Sequence, residues 1–313
     1  SRLRSIMENT YVKKEFTAEE FARDMELELV LDGGKPVSVA SPNVNRMWLQ
    51  LTGHFEYFTE DRVQIIGPSE AHFLDSRSAE ERAALIDRLF ENPFTCVVFS
   101  RGLKADDRFI GRAKTNGVSV FRSKLPTSEL ISHVVEKLKD LLAQTVQEHG
   151  VLMDINGVGV MICGNSGIGK SEIALELLRR GHRIVADDVV VIKRIGDTVE
   201  GSANPLVRNF MELRGVGLVN IVNLCGVESI KLTQQVELII QLEEWDENKN
   251  YERLGGESES REILGVKITQ MTIPVSPGRN IAVVVETAAS VYRLQKMGYN
   301  AMDELSGRMK NNK

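Results

Sequence analysis

The chain has 313 residues, 42% of them hydrophobic and 27% charged, and a formal net charge of −5 at pH 7. That length leaves room for two domains with sizeable cores, and the negative balance excludes a partner held by global attraction to a polyanion, whether nucleic acid or an anionic membrane. No apolar run approaches the ~20 residues of a membrane span, the N-terminal SRLRSIMENTYVKKEF lacks a signal-peptide core, and Cys96, Cys163 and Cys225 lie singly in apolar neighbourhoods, so a cytoplasmic protein with reduced core thiols is expected.

Along residues 1–130 helical and strand signals alternate, which predicts an N-terminal α/β domain. Thr17-Ala-Glu-Glu20 has capping-box spacing before the helical stretch Phe21 to Leu29, and Ala79 to Phe90 is amphipathic. Val63 to Ile66 and Cys96 to Phe99 read as strands, closed by Gly67-Pro68 and Arg101-Gly102. A longer helical pattern runs from Thr127 to about Glu148, and the domain boundary is expected near residue 130, with residues 131–313 as the second domain.

From Gly150 the texture changes to short apolar strands: VLMDI, VGVMIC, RIVAD, VELIIQLEEW and, after a charged loop, MTIPV and IAVVVE. Ala288 to Met309 reads as a helix broken at Gly298. Between VGVMIC and a helical run lies Gly164-Asn165-Ser166-Gly167-Ile168-Gly169-Lys170-Ser171, which matches G-x-x-x-x-G-K-[ST]. In that pattern glycines let backbone N–H groups turn inward on phosphate oxygens, Lys170 reaches the β- and γ-phosphates, and the Ser171 hydroxyl ligates a divalent cation. Glu172 to Arg180 carries apolar residues at 173, 174, 177 and 178, so the loop should sit at a helix N-terminus, where the dipole favours anions, with Gly181 closing the helix.

Asp187-Asp188 ends RIVAD seventeen and eighteen residues after Lys170. A helix of about ten residues advances only ~15 Å, so this strand end can return to the phosphate loop. One carboxylate would then hold Mg²⁺ through water and the other would take a proton from an attacking hydroxyl; a solvated acidic turn is the competing reading. Glu212, in MELRGVGL, offers a second oxygen ligand beside glycines that permit close approach, against a plain glycine hairpin. His149 precedes Gly150 at an expected helix-to-strand corner, where structural and catalytic roles both stand. Arg253, in a loop from Glu247 to Arg261, and Pro274-Val275-Ser276-Pro277-Gly278-Arg279 are either anion-contacting segments or, respectively, a solvated loop and a stiff turn.

Taken together, HGVLMDINGVGVMICGNSGIGKSE, RGHRIVADD, MELRGVGLVNIV, Tyr251-Glu252-Arg253 and TIPVSPGRNIAVVVE resemble the bacterial HPr kinase/phosphorylase family, in order through residues 149 to 290. The resemblance implies a two-domain α/β protein whose second domain is a P-loop kinase with a core related to phosphoenolpyruvate carboxykinase. It implies an enzyme that phosphorylates a serine of the phosphocarrier protein HPr with ATP or pyrophosphate and removes that phosphate by phosphorolysis, releasing pyrophosphate, in the control of carbon catabolite repression and sugar uptake. By motif, Lys170 would bind the β- and γ-phosphates within the loop Gly164 to Ser171, Ser171 and Glu212 would hold Mg²⁺ or Mn²⁺, and Asp188 would accept the proton in one direction and donate it in the other. His149 and Arg253 would be catalytic, Met211 to Asn220 would serve both reactions, and Pro274 to Arg279 would serve dephosphorylation. A homohexamer regulated by fructose bisphosphate and inorganic phosphate is implied as well. Asn165 departs from the family, which usually carries aspartate there; altered metal or phosphate tuning is expected rather than loss of activity.

Two other classes remain open on the residues alone. A nucleotide-driven switch would also use the phosphate loop, although Asn248-Lys249-Asn250-Tyr251 lacks the aspartate of an N-K-x-D guanine motif. A non-enzymatic interaction protein with a relic site would not need Lys170, Ser171 and the paired aspartates intact.

Overall fold

The computed structural model describes residues 11–56, 58–246, 259–276, 278–299 and 304. They divide into two compact units, up to Ala143 and from Gln144 onward. The division falls later than residue 130 because of the helix Thr127–Leu142. Its Leu130, Val134, Leu138 and Leu142 recur every four residues and are fully buried in the first unit's core with Phe21, Val63, Val98 and Phe121. One apolar stripe therefore commits the whole helix to that unit. The helix also ends before the expected Glu148, because Thr145–His149 is a strand in which exposed residues alternate with half-buried ones.

The first unit contains β1 (Lys14–Phe16), β2 (Glu28–Leu31), β3 (Val37–Val39), β4 (Val44–Arg46), β5 (Val63–Ile66), β6 (Cys96–Phe99) and β7 (Ser119–Arg122). Five of these form a sheet in the order β2-β7-β6-β5-β4, with β4 to β7 parallel and β2 antiparallel to β7. Every residue of β5 and β6 is buried, which is why β6 is apolar throughout and β5 is apolar but for Gln64, whose amide donates to the Thr59 and Arg62 carbonyls. The capping box forms as expected: the Glu20 amide donates to Thr17 Oγ1 at 3.2 Å, and the Thr17 amide donates to the Glu20 carboxylate at 2.9 Å. The helix it opens is shorter than expected, Ala18–Asp24, because Glu28 to Leu31 pair with β7 instead.

The second unit contains β8 (Thr145–His149), β9 (Val151–Ile155), β10 (Val158–Cys163), β11 (Arg183–Ala186), β12 (Val189–Ile195), β13 (Thr198–Ala203), β14 (Phe210–Leu213), β15 (Gly217–Asn220), β16 (Thr233–Gln235), β17 (Leu238–Glu244), β18 (Glu259–Ile263) and β19 (Val266–Val275). A six-stranded sheet runs β11-β9-β10-β17-β19-β18 and a four-stranded sheet β16-β13-β12-β8. On one face of the larger sheet, Val160, Ile162 and Ile240 pack with Leu177 and Leu178 of the helix Lys170–Arg179 and with Val285 and Ala289 of the helix Ile281–Lys296. On the other, Met161 and Ile239 pack with Val190, Ile192 and Val199 of the smaller sheet. Helices, sheet and sheet thus make three layers.

The segment IAVVVE, expected as a strand, opens the helix Ile281–Lys296. Asn280 caps it, its side-chain oxygen accepting from the Val283 amide at 3.3 Å. Buried Ile281, Ala282, Val285, Ala288 and Ala289 trace a helical face that the β-branched run concealed. Among the described residues no helix is long and apolar enough to cross a membrane.

Candidate active site

β9 is antiparallel to both β10 and β11, while β17 and β19 are parallel to β10, so β10, β11, β17 and β19 all point the same way. Gly164, Asp187, Trp245 and Ser276 therefore leave the sheet at one edge. The carboxyl edge of such strands is where α/β sheets bind ligands.

The phosphate-loop motif begins there. Gly164 takes φ 148°, and a Cβ at this position would stand 2.8 Å from the Leu242 carbonyl oxygen, so glycine alone lets the chain turn against β17. The helix Lys170–Arg179 starts at the motif's lysine, with Ile173, Ala174, Leu177 and Leu178 buried as their spacing predicts. Gly181, at φ 90°, follows its end. The Lys170 ammonium donates to the carbonyls of Gly164 at 2.8 Å and Asn165 at 3.1 Å, which keeps its charge on the loop rather than out in solvent. Asn165, Ser166 and Gly167 are exposed, while Ile168 is half-buried and packs on the core below.

Ser171 Oγ donates to the Asp187 carboxylate, at 3.0 Å to one oxygen and 3.3 Å to the other. The same carboxylate accepts from the Glu212 backbone amide. Burial pushes Asp187 above the usual carboxylate range and the charge of Asp188 adds to that rise, against the hydrogen bonds from Ser171 and Glu212. Asp188 is different in kind. It turns the chain from one sheet to the other at φ 67°, and its side chain is 85% exposed. Its carbonyl accepts from the Gly150 amide at 2.9 Å, and the β8–β12 register places His149 opposite Val189. The result is His149 Nδ1 3.8 Å from Asp188 Oδ1. His149 thus sits at the end of a strand, not at the expected helix-to-strand corner.

Met211 to Leu218 is a β14–β15 hairpin, with Glu212 paired to Leu218. Met211 and Leu213 are buried and Glu212 is exposed on the opposite face. The hairpin lies against the phosphate loop, because a Cβ on Gly167 would stand 2.7 Å from both terminal nitrogens of Arg214. The sequence reading included Arg214 only within the segment Met211 to Asn220 and gave it no role of its own. Its position two residues after Glu212, in the turn that opens the hairpin's glycines, was the available signal.

Pro274 and Val275 end β19, pairing with Glu243 and Glu244. Ser276, Gly278 and Arg279 form the turn into the next helix, the Arg279 amide donating to the Ser276 carbonyl at 3.3 Å with Gly278 at φ 80°. Arg253 and Pro277 lie outside the described residues. Ser171, Asp187 and Glu212 offer hydroxyl and carboxylate oxygens, the donor type that hard divalent cations take. Among the described residues no three His, Cys, Asp or Glu side chains gather into a metal cage.

The family model for the HPr serine kinase N terminus matches residues 16–138, and that for the HPr serine kinase C-terminal domain matches residues 140–309. The chain is 46% identical over 277 residues to the HPr kinase/phosphorylase of Lachnoclostridium phytofermentans, covering 88% of this chain and 90% of that protein. It is 43% identical over 298 residues to the HPr kinase/phosphorylase of Alkaliphilus metalliredigens, covering 95% and 96%. The solved Hpr(Ser) kinase/phosphatase from Coxiella burnetii is 28% identical, over 51% of this chain and 98% of that one, with a TM-score of 0.46.

Proposed function

The chain belongs to the HPr serine kinase family, and from that premise we propose that it phosphorylates a serine of the phosphocarrier protein HPr, with ATP or pyrophosphate as donor, and reverses the reaction by phosphorolysis. The observation that carries this reading is the Ser171–Asp187 hydrogen bond of 3.0 Å, because it joins the phosphate loop to the acidic strand end next to Asp188.

In the kinase direction the loop Gly164 to Ser171 holds the donor's phosphates at a helix N-terminus, and Lys170 neutralises charge on the phosphoryl group in flight. The HPr serine oxygen forms a bond to the γ-phosphorus as the bridging oxygen departs. Asp188, exposed at its corner, takes the serine proton. His149, across from Asp188, holds that carboxylate in place, and Arg253 and Arg214 supply positive charge to the phosphates. A divalent cation, Mg²⁺ or Mn²⁺, would be held by Ser171 and Glu212 with Asp187 beside them, and would supply positive charge that offsets the charge of the phosphates. In reverse, an oxygen of inorganic phosphate attacks the phosphoserine phosphorus, Asp188 returns the proton to the serine oxygen, and pyrophosphate leaves. Pro274 to Arg279 serves this direction.

The same reading includes a phosphate-loop kinase core of the phosphoenolpyruvate carboxykinase kind, a cytoplasmic homohexamer, and regulation of sugar uptake and carbon catabolite repression through fructose bisphosphate and inorganic phosphate. Incubation with labelled ATP and purified HPr tests it. Label on an HPr serine supports the kinase; free phosphate without labelled protein points to a nucleotide switch, and no turnover to a relic site.

A further inference from the structure

Arg261 lies on β18, at the edge of the six-stranded sheet, yet its guanidinium reaches two segments of the site. Nη2 donates to Glu148 Oε2 at 2.5 Å, and Nη1 lies 3.8 Å from Cys163 Sγ. Glu148 immediately precedes His149; Cys163 immediately precedes Gly164. The guanidinium therefore bridges the strand that delivers His149 and the strand that delivers the phosphate loop, which belong to different sheets.

Gly150, on the far side of His149, meets the same place. Its amide donates to the Asp188 carbonyl at 2.9 Å, and a Cβ there would stand 2.8 Å from the Ile162 carbonyl oxygen and 3.5 Å from Cys163 Sγ. Residues 148 to 150 thus pack as one corner against the end of β10, held by Arg261 on one side and by the Asp188 backbone on the other. Arg261 is 35% exposed and Glu148 24%, so screening limits the energy of the pair. What the planar guanidinium contributes is direction, because its nitrogens serve two partners from one rigid plane.

We propose that Arg261 is a positioning residue for phosphoryl transfer: by clamping the Glu148–His149–Gly150 corner to Cys163 it sets where the His149–Asp188 pair stands relative to the phosphate loop. The proposal rests on the kinase reading of the site and goes beyond it, since among the described residues the Arg261 side chain bonds to Glu148 and Cys163 rather than to the loop's glycines or Asp188. A displaced acceptor is costly, as ~1 Å of misplacement reduces turnover about a hundredfold.

The test compares full-length wild type with Arg261→Gln, Glu148→Gln and the charge-retaining Arg261→Lys. Expected for both glutamine variants is a kcat for HPr phosphorylation lower by about ten- to a hundredfold, with the KM for ATP within about twofold, because the phosphate cradle is intact. Arg261→Lys should recover part of kcat. Independently of activity, hydrogen exchange at the Gly150 amide should accelerate about tenfold while exchange across Val158–Cys163 stays unchanged. Unchanged kcat in Glu148→Gln, or equal acceleration of exchange in both segments together with a lower melting temperature, would identify a plain sheet-to-sheet staple and overturn the proposal. If wild type itself does not label HPr, the kinase reading fails, and the exchange pattern alone then decides whether the clamp exists.

Discussion

Asp187 and Asp188 are adjacent in sequence, yet one carboxylate is partly buried under Ser171 and the Glu212 amide and the other projects into solvent beside His149. Their substitutions should therefore differ. Asp188→Asn is expected to lower kinase turnover by about 10²–10⁴ while nucleotide affinity is retained, since it removes a proton acceptor and leaves the phosphate cradle. A collapse of affinity at unchanged saturating turnover would make Asp188 a binding residue instead. For Asp187 the linkage has the opposite sign from an ordinary ion-paired carboxylate. Its folded pKa is raised above 3.8, so the folded chain holds that proton more tightly; the stability this gives is present at low pH and is lost as pH rises through the folded value. Metal-free Asp187→Asn should consequently melt higher than wild type at pH 7, with the gap closing as pH falls through the raised folded value and gone below the ordinary carboxylate value of ~3.9, and its activity should recover only partly with excess Mg²⁺. A lower melting temperature at pH 7 would contradict the burial argument. The return of the Asp187 strand end to Ser171 was legible in the sequence because their spacing is local. The contacts of Arg214 and Arg261 were not, since each is made with a segment distant in the chain, Arg214 with Gly167 and Arg261 with Glu148, 113 residues away.

Elements buried on both faces were the easiest to read. Val63–Ile66, Cys96–Phe99, Val151–Ile155 and Val158–Cys163 match the expected strands residue for residue, because a strand covered on both sides is mostly apolar, here broken only by Gln64 and Asp154. The same rule misread IAVVVE. A run of β-branched residues satisfies a helix face when positions 281, 282, 285, 288 and 289 all find a core, and the Asn280 cap then outweighs strand propensity. The turn between β19 and that helix carries Arg279, exposed at the edge shared with the phosphate loop. Phosphorolysis brings a phosphate dianion to an already negative phosphoserine, a repulsion that a neutral serine hydroxyl does not meet. Arg279→Ala should therefore reduce phosphorolysis several-fold more than ATP-dependent phosphorylation, with a raised requirement for inorganic phosphate. Equal losses in both directions, with reduced thermal stability, would assign the turn a structural role alone.

At the scale of the whole molecule the chain carries separate cores, one set around Phe21, Val98, Phe121 and Leu138 and another around Val160, Ile162, Ile240 and Val285. The boundary was misplaced in the sequence reading because a helix joining two domains shows its stripe without showing which core receives it. With two cores, calorimetry should resolve two unfolding transitions, and ATP with Mg²⁺ at a hundredfold above Kd should raise only the one belonging to residues 144–313, by about 2.7 kcal/mol. Equal shifts of both transitions would mean the units unfold as one. The central claim is that a single phosphate loop runs both reactions, and ³¹P detection of products tests it most directly when seryl-phosphorylated HPr is mixed with inorganic phosphate. Pyrophosphate should appear mole for mole with dephosphorylated HPr, and Lys170→Ala should abolish this together with phosphorylation by ATP. Release of orthophosphate without pyrophosphate, or a Lys170→Ala protein that keeps either reaction near the wild-type rate, would contradict the account.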